Sequence, residues 1–117
     1  WRADSGMLAA LHALAALAET DKPLSEVLAP YTRHVASGEI NTSVADQQAI
    51  LDGLEADWGT RPGVTVDHLD GLSVLAADWW FNVRASNTEP LLRLNAEGKD
   101  EATMQQIRDE VLAAIRS

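Results

Sequence analysis

Two runs of alternating apolar residues, WWFNV at 79–83 and LLRLNAE at 91–97, constrain the fold more than any other feature of the chain. Successive side chains of an extended strand point to opposite faces. Trp79, Phe81 and Val83 therefore share one face, and Trp80, Asn82 and Arg84 share the other. In the second run Leu92, Leu94 and Ala96 lie together, opposite Leu91, Arg93 and Asn95. With residues 85–90 as the loop, Arg84 faces Leu91 and Asn82 faces Arg93. The apolar sets then coincide on one side, and both arginines point away from the core. An antiparallel pair with one buried face needs helices or a second sheet to cover that face.

The rest of the chain supplies such cover. Asp46 is a good N-cap for a helix over 47–58, where Ile50, Leu54 and Trp58 recur every four residues and Leu51 widens the stripe. Met104, Ile107, Val111 and Ile115 form a similar stripe in a last helix, about 101–116. Residues 39–44 read as a polar edge strand. Residues 64–69 and 72–76 read as a hairpin around a tight Asp70-Gly71 turn. From residue 39 onward the order is β-α-β-β-β-β-α, an α+β domain with an antiparallel sheet of about four to five strands and two helices on one face. Before it, Asp4 or Ser5 can cap a helix over 6–19 that is apolar on nearly every side, a character normal inside a larger protein. A shorter helix over 24–35 follows, with Pro30 expected to kink or divide it. The chain thus divides into 1–22, a linker helix at 23–38, and a main domain at 39–117. It opens at Trp1 without a methionine and reads as a piece of something longer.

Composition narrows the function. There are 18 acidic residues against 9 basic ones, a net charge of −9, which argues against a nucleic-acid backbone as partner. The absence of cysteine removes disulfides and thiolate metal sites. The apolar stretch 7–18 is too short to span a bilayer and is interrupted by His12. A soluble, cytoplasmic chain is the expectation.

Against that acidic background, the connection between the two strands is rich in donors. RASNTEP, residues 84–90, carries hydroxyls at Ser86 and Thr88, an amide at Asn87 and a guanidinium at Arg84. Loop N–H groups outside the strand ladder can converge into an anion-binding concavity. An arginine fork matches phosphate oxygens, and Pro90 stiffens the exit. The set suits a phosphate monoester, held by local donors that act within about 10 Å. The plainer reading is a polar hairpin loop with Asn87 in a left-handed turn and Arg84 solvated. The residues by themselves leave both open.

RASNTEPLLRLN resembles the C-terminal phosphate-binding loop of the α-D-phosphohexomutases, in the phosphomannomutase/phosphoglucomutase branch. WRADSGMLAALHALAAL is similar to the end of that family's third domain, ASGEINTSVAD to the start of its fourth, and LDGLSVLAADWWFNVRASNTEP to the strands leading into the loop. Asn87 stands where the phosphoglucosamine mutase branch usually has glycine, so that branch is the alternative. The resemblance implies a TATA-binding-protein-like fold for the main domain. It implies a four-domain enzyme interconverting hexose 1- and 6-phosphates through a bisphosphorylated intermediate, with a phosphoserine in the first domain and Mg²⁺ held by the second. Arg84, Ser86, Asn87 and Thr88 would then be the substrate-phosphate ligands. The partners would be hexose phosphates and the other domains, with no nucleic acid and no membrane. No phosphoserine loop and no acidic metal motif occurs in this chain, so no catalytic or metal residue is assigned and the chain alone is expected to be inactive. A stand-alone sugar-phosphate binding module, and a structural domain that associates through its first helix, are the rivals.

Other residues have plainer roles. His12 reads as a packing or interdomain residue, and His34 and His68 as solvated. Trp79 reads as core and Trp80 as half-exposed, with sugar stacking the less favoured role. Arg93 could assist a phosphate but is better read as half of a surface ion pair. Glu89 is expected to orient Arg84 or cap the loop, and Asp46, Asp52 and Asp57 to face water.

Overall fold

The computed structural model describes residues 5–117 and divides the chain into two units, Trp1–Arg33 and His34–Ser117. In the first, helix α1 spans Gly6–Ala18, with the Ser5 side chain accepting from the Leu8 N–H at 3.3 Å; the other cap candidate, Asp4, lies outside the described residues. No α1 residue is buried. The expected 24–35 helix is much shorter. Helix α2 covers Leu24–Leu28 and gives way to a single 3₁₀ turn, Ala29–Tyr31, around Pro30. Proline has no N–H to donate and its ring crowds the preceding turn, so the helix stops there.

The second unit is one antiparallel sheet under two helices. Its elements are β1 (Val35–Ala36), β2 (Ile40–Ser43), α3 (Gln47–Trp58), β3 (Thr65–Asp67), β4 (Leu72–Leu75), β5 (Trp79–Ala85), β6 (Leu91–Gly98) and α4 (Glu101–Arg116). The sheet runs β1-β6-β5-β4-β3, with β2 also on β6. Strands β1 and β2 share one edge: β1 pairs with Glu97 and Gly98, and β2 with residues 91–94. Six strands therefore fill five positions. Val35 and Ala36, expected to end a linker helix, belong to the sheet instead. Ser37 continues the edge between them, its N–H donating to the Ala96 carbonyl (2.8 Å) and its Oγ accepting from the Ala96 N–H (3.0 Å).

The inward strand residues Leu72, Val74, Phe81, Val83, Leu92, Leu94 and Ala96 meet Leu54 and Trp58 of α3 and Ile107, Val111, Leu112 and Ile115 of α4 in one core. Trp58 is the largest side chain in it, edge-on to Trp79 and Phe81 with ring centroids 5.4 and 5.0 Å away. Asp46 caps α3 by accepting the Ala49 N–H (3.0 Å), and Asp100 caps α4 by accepting the Thr103 N–H (2.8 Å). That bond to Thr103 holds the Asp100 carboxyl below its usual range. Its contribution is therefore present above the unfolded-state pKa and lost as pH falls through the lowered one. Gly98 lets β6 turn into α4, since a Cβ there would stand 2.5 Å from the Met104 nitrogen.

Both hairpins differ in register from expectation. Asp70-Gly71 is not a two-residue turn. Asp67 pairs with Ser73, which leaves five residues, 68–72, between the paired positions; there the Leu69 N–H donates to the Asp67 side chain (2.8 Å) and Gly71 has φ +73°. This places Val66 opposite Val74 on the core side; a one-residue slip would turn Val66 outward. In the β5–β6 hairpin Arg84 faces Arg93, not Leu91, and Asn82 faces Asn95, not Arg93. That shift is two residues, so every side chain keeps its face. Among the described residues no helix is long and apolar enough to cross a membrane.

Candidate functional site

The β5–β6 connection, residues 86–90, forms one wall of a concavity of about 500 Å³ lined by Arg84, Ser86, Asn87, Thr88 and Arg93, with Asp70 and Gly71 from the neighbouring hairpin. The four residues singled out from the sequence thus converge on one space, and Arg93 joins them. Ser86 organises the loop. Its N–H donates to the Leu91 carbonyl (3.0 Å), and its Oγ accepts from the Thr88 N–H (3.4 Å) and lies 3.5 Å from the Thr88 hydroxyl. Asn87 and Thr88 are exposed. Among the described residues no residue other than glycine has a positive φ, so Asn87 does not form a left-handed turn. The loop gets its shape from hydrogen bonds.

Its exit is tied down from α3. Gln47, in the first turn of that helix, donates through Nε2 to the carbonyls of Leu91 (2.8 Å) and Glu89 (3.2 Å). The Val44 N–H adds a bond to the Pro90 carbonyl (3.1 Å). Nothing in the sequence singles out Gln47, since its partners lie more than 40 residues away. Replacing it with methionine keeps the length and removes both donors. Each neutral hydrogen bond is worth about 1 kcal/mol, so Gln47→Met is expected to speed amide exchange at Ser86 and Leu91 by about fivefold or more. Exchange rates within twofold of the parent chain would show that the loop holds itself.

Gly71 sets the opposite wall. Its left-handed backbone suits only glycine without strain, and a Cβ there would lie 2.6 Å from the Val83 carbonyl and 2.8 Å from the Arg84 Cβ. Left-handed strain of about 1–2 kcal/mol adds to a displacement of β5 at Arg84. Gly71→Ala should therefore lower stability by about 2 kcal/mol or more and shift the Arg84 amide resonance. An unchanged urea midpoint would refute this.

The arginines are ion-paired, though each stays about a third exposed. Arg84 donates to Glu39 (3.3 Å) and Asp70 (3.4 Å), and Arg93 to Glu39 (3.4 Å). Glu89 pairs with neither, and it serves the loop through its carbonyl, which accepts the Leu91 N–H (2.8 Å) as well as Gln47 Nε2; the expectation that it orients Arg84 does not hold. Arg93 has the ion pair expected of it. His68 is exposed, as expected, and lies 3.0 Å from Glu55. Trp80, half-buried on the outer face, donates its indole N–H to Glu97 (3.0 Å). Glu39 and Asp70, beside the loop, are held by arginine, and no three acidic or histidine side chains converge among the described residues. This donor set does not fit a Mg²⁺ ion.

Comparison with known proteins gives one answer. Residues 39–114 match the family model for the phosphoglucomutase/phosphomannomutase C-terminal domain. The chain is 40% identical over 108 residues to a phosphomannomutase of Methanocaldococcus jannaschii, covering 92% of this chain and 23% of that protein. It is 35% identical over 113 residues to a phosphomannomutase of Escherichia coli, covering 96% and 25%. A solved structure of a phosphoglucomutase/phosphomannomutase family protein from Burkholderia thailandensis superposes with a TM-score of 0.72 at 27% identity, over 99% of this chain and 24% of that one. The chain spans about a quarter of the relatives it matches.

Proposed function

Because the chain belongs to the phosphoglucomutase/phosphomannomutase family, with its residues 39–114 matching the C-terminal domain, we propose that it supplies the substrate-phosphate clamp of a hexose-phosphate mutase. The supporting observation is the concavity in which Arg84 meets Ser86, Asn87 and Thr88. A phosphate monoester carries up to two negative charges and accepts hydrogen bonds through three terminal oxygens. The Arg84 guanidinium provides charge and a directional fork, while the two hydroxyls and the Asn87 amide can complete the shell around those oxygens. The acidic surface opposes an anion at long range, but screening confines that field to roughly 10 Å, and the loop's own donors act inside it.

The role of such a clamp is positioning. In the intact enzyme a phosphoryl group passes between the protein and a hexose 1- or 6-phosphate through a bisphosphorylated intermediate. The clamp holds the phosphate that is not reacting, and either end of the sugar must fit it. Holding the remote end fixes the reacting end against the catalytic group, which converts binding into rate. The reacting serine and the Mg²⁺ belong to other parts of the enzyme, and this chain alone does not catalyse.

Titration of the isotope-labelled chain with mannose 1-phosphate, glucose 6-phosphate and free mannose tests this. Saturable amide shifts at residues 84–88 are expected with both phosphates and not with the free sugar. Equal shifts with mannose, or none with either phosphate at millimolar concentration, would overturn it.

A further inference from the structure

Arg84 and Arg93 are directly opposed cross-strand partners on one face, an arrangement that repels by itself. Glu39 stands between them, with one carboxylate oxygen accepting from Arg84 (3.3 Å) and the other from Arg93 (3.4 Å). Both distances exceed the roughly 2.7–2.9 Å of a strong charge-assisted bond. The three side chains are 33–38% exposed, so none is locked in place. Among the described residues the buried Nε of Arg93 has no partner. Both guanidinium groups line the same concavity as Ser86, Asn87 and Thr88. A loosely held carboxylate spanning two arginines has the charge and shape of the ligand such a site would take. A phosphate dianion offers one more charge and one more oxygen than that carboxylate.

We infer that Glu39 is an internal stand-in for the substrate phosphate, and that Arg93 is a second phosphate ligand beside Arg84. The carboxylate keeps the two cations together while the site is empty. An incoming phosphate takes over both, and Glu39 is released to solvent. Glu39 thereby lowers anion affinity, which suits a clamp that must let go of one end of a sugar and take the other. This rests on the reading of residues 84–88 as a phosphate site.

The test uses inorganic phosphate as the probe, titrated into the 117-residue chain and followed by amide and guanidinium NMR. Glu39→Gln keeps the shape and removes the competing charge, so phosphate should bind up to about fivefold more tightly, the span of a half-exposed ion pair. Glu39→Ala should move affinity the same way. Arg93→Met should weaken binding by about fivefold or more and abolish the gain from Glu39→Gln. Equal or weaker binding by both Glu39 variants, with saturable shifts in the parent chain, would overturn the stand-in role and leave the clamp intact. No saturable shift at residues 84–88 in any of these chains would overturn the phosphate site and this inference with it.

Discussion

Replacing Trp58 with alanine is expected to cost about 3–5 kcal/mol, the largest stability loss of any single change considered for this chain. Trp58 is 1% exposed and joins α3 to the sheet. Its ring meets Trp79 and Phe81 edge to face, and such pairs add about 0.5–1.5 kcal/mol beyond the area they bury. A unit the size of His34–Ser117 has roughly 4–13 kcal/mol of stability in all, so the loss is a large share of the total. The Arg61 guanidinium lies 3.5 Å from the centroid of the same ring, but it also holds Asp57 and Glu110 at the surface. Arg61→Met should therefore cost about 1 kcal/mol or less. Urea unfolding followed by far-ultraviolet circular dichroism separates the two variants. A Trp58→Ala loss below about 2 kcal/mol would mean that α3 is held mainly by Leu54 and its neighbours.

Trp58 was identifiable from the sequence because its signal is local. It sits at four-residue spacing from Leu54 and Ile50, behind an aspartate cap. The same logic recovers α4 with its ends at 101 and 116. The inward and outward faces of β5 and β6 were equally legible, since alternation needs only neighbouring residues. Register was not. A two-residue shift leaves every side chain on its own face, so the hydrophobic pattern cannot tell Arg84 opposite Leu91 from Arg84 opposite Arg93. The choice is made by the bond from the Ser86 N–H to the Leu91 carbonyl and by the anchor from Gln47. Strand β1 was hidden for a related reason. Two residues carry no periodicity, and Val35-Ala36 becomes a strand only because the far end of β6 is there to pair with it.

The candidate site divides along the same line. Arg84, Ser86, Asn87 and Thr88 are nearly consecutive, so their convergence could be anticipated from one loop. The partners that govern their charge could not. Glu39 lies 45 residues from Arg84 and 54 from Arg93 along the chain, and no spacing rule connects them. What looked like a free guanidinium is one already balanced by two carboxylates.

Because of that balance, Arg84→Ala should separate binding from folding. Ion pairs between half-exposed groups contribute about 0–1 kcal/mol, and the change also leaves Glu39 with a partner in Arg93. The urea midpoint should therefore stay close to that of the parent chain. Binding should not. A hydrogen bond to a charged group is worth about 1.5–3 kcal/mol, so losing the fork should weaken affinity for mannose 1-phosphate or glucose 6-phosphate by roughly 10- to 150-fold. Arg84→Lys keeps the charge and gives up the planar fork, and should recover only part of that loss. Raising the salt should weaken binding to the parent chain more than to Arg84→Ala, because screening acts on the charge that the variant has already lost. An Arg84→Ala chain that binds within threefold of the parent would place the anion-binding determinants elsewhere, even if the hairpin is intact. Such a chain with a lowered urea midpoint would instead make Arg84 a structural counter-ion for Glu39 and Asp70.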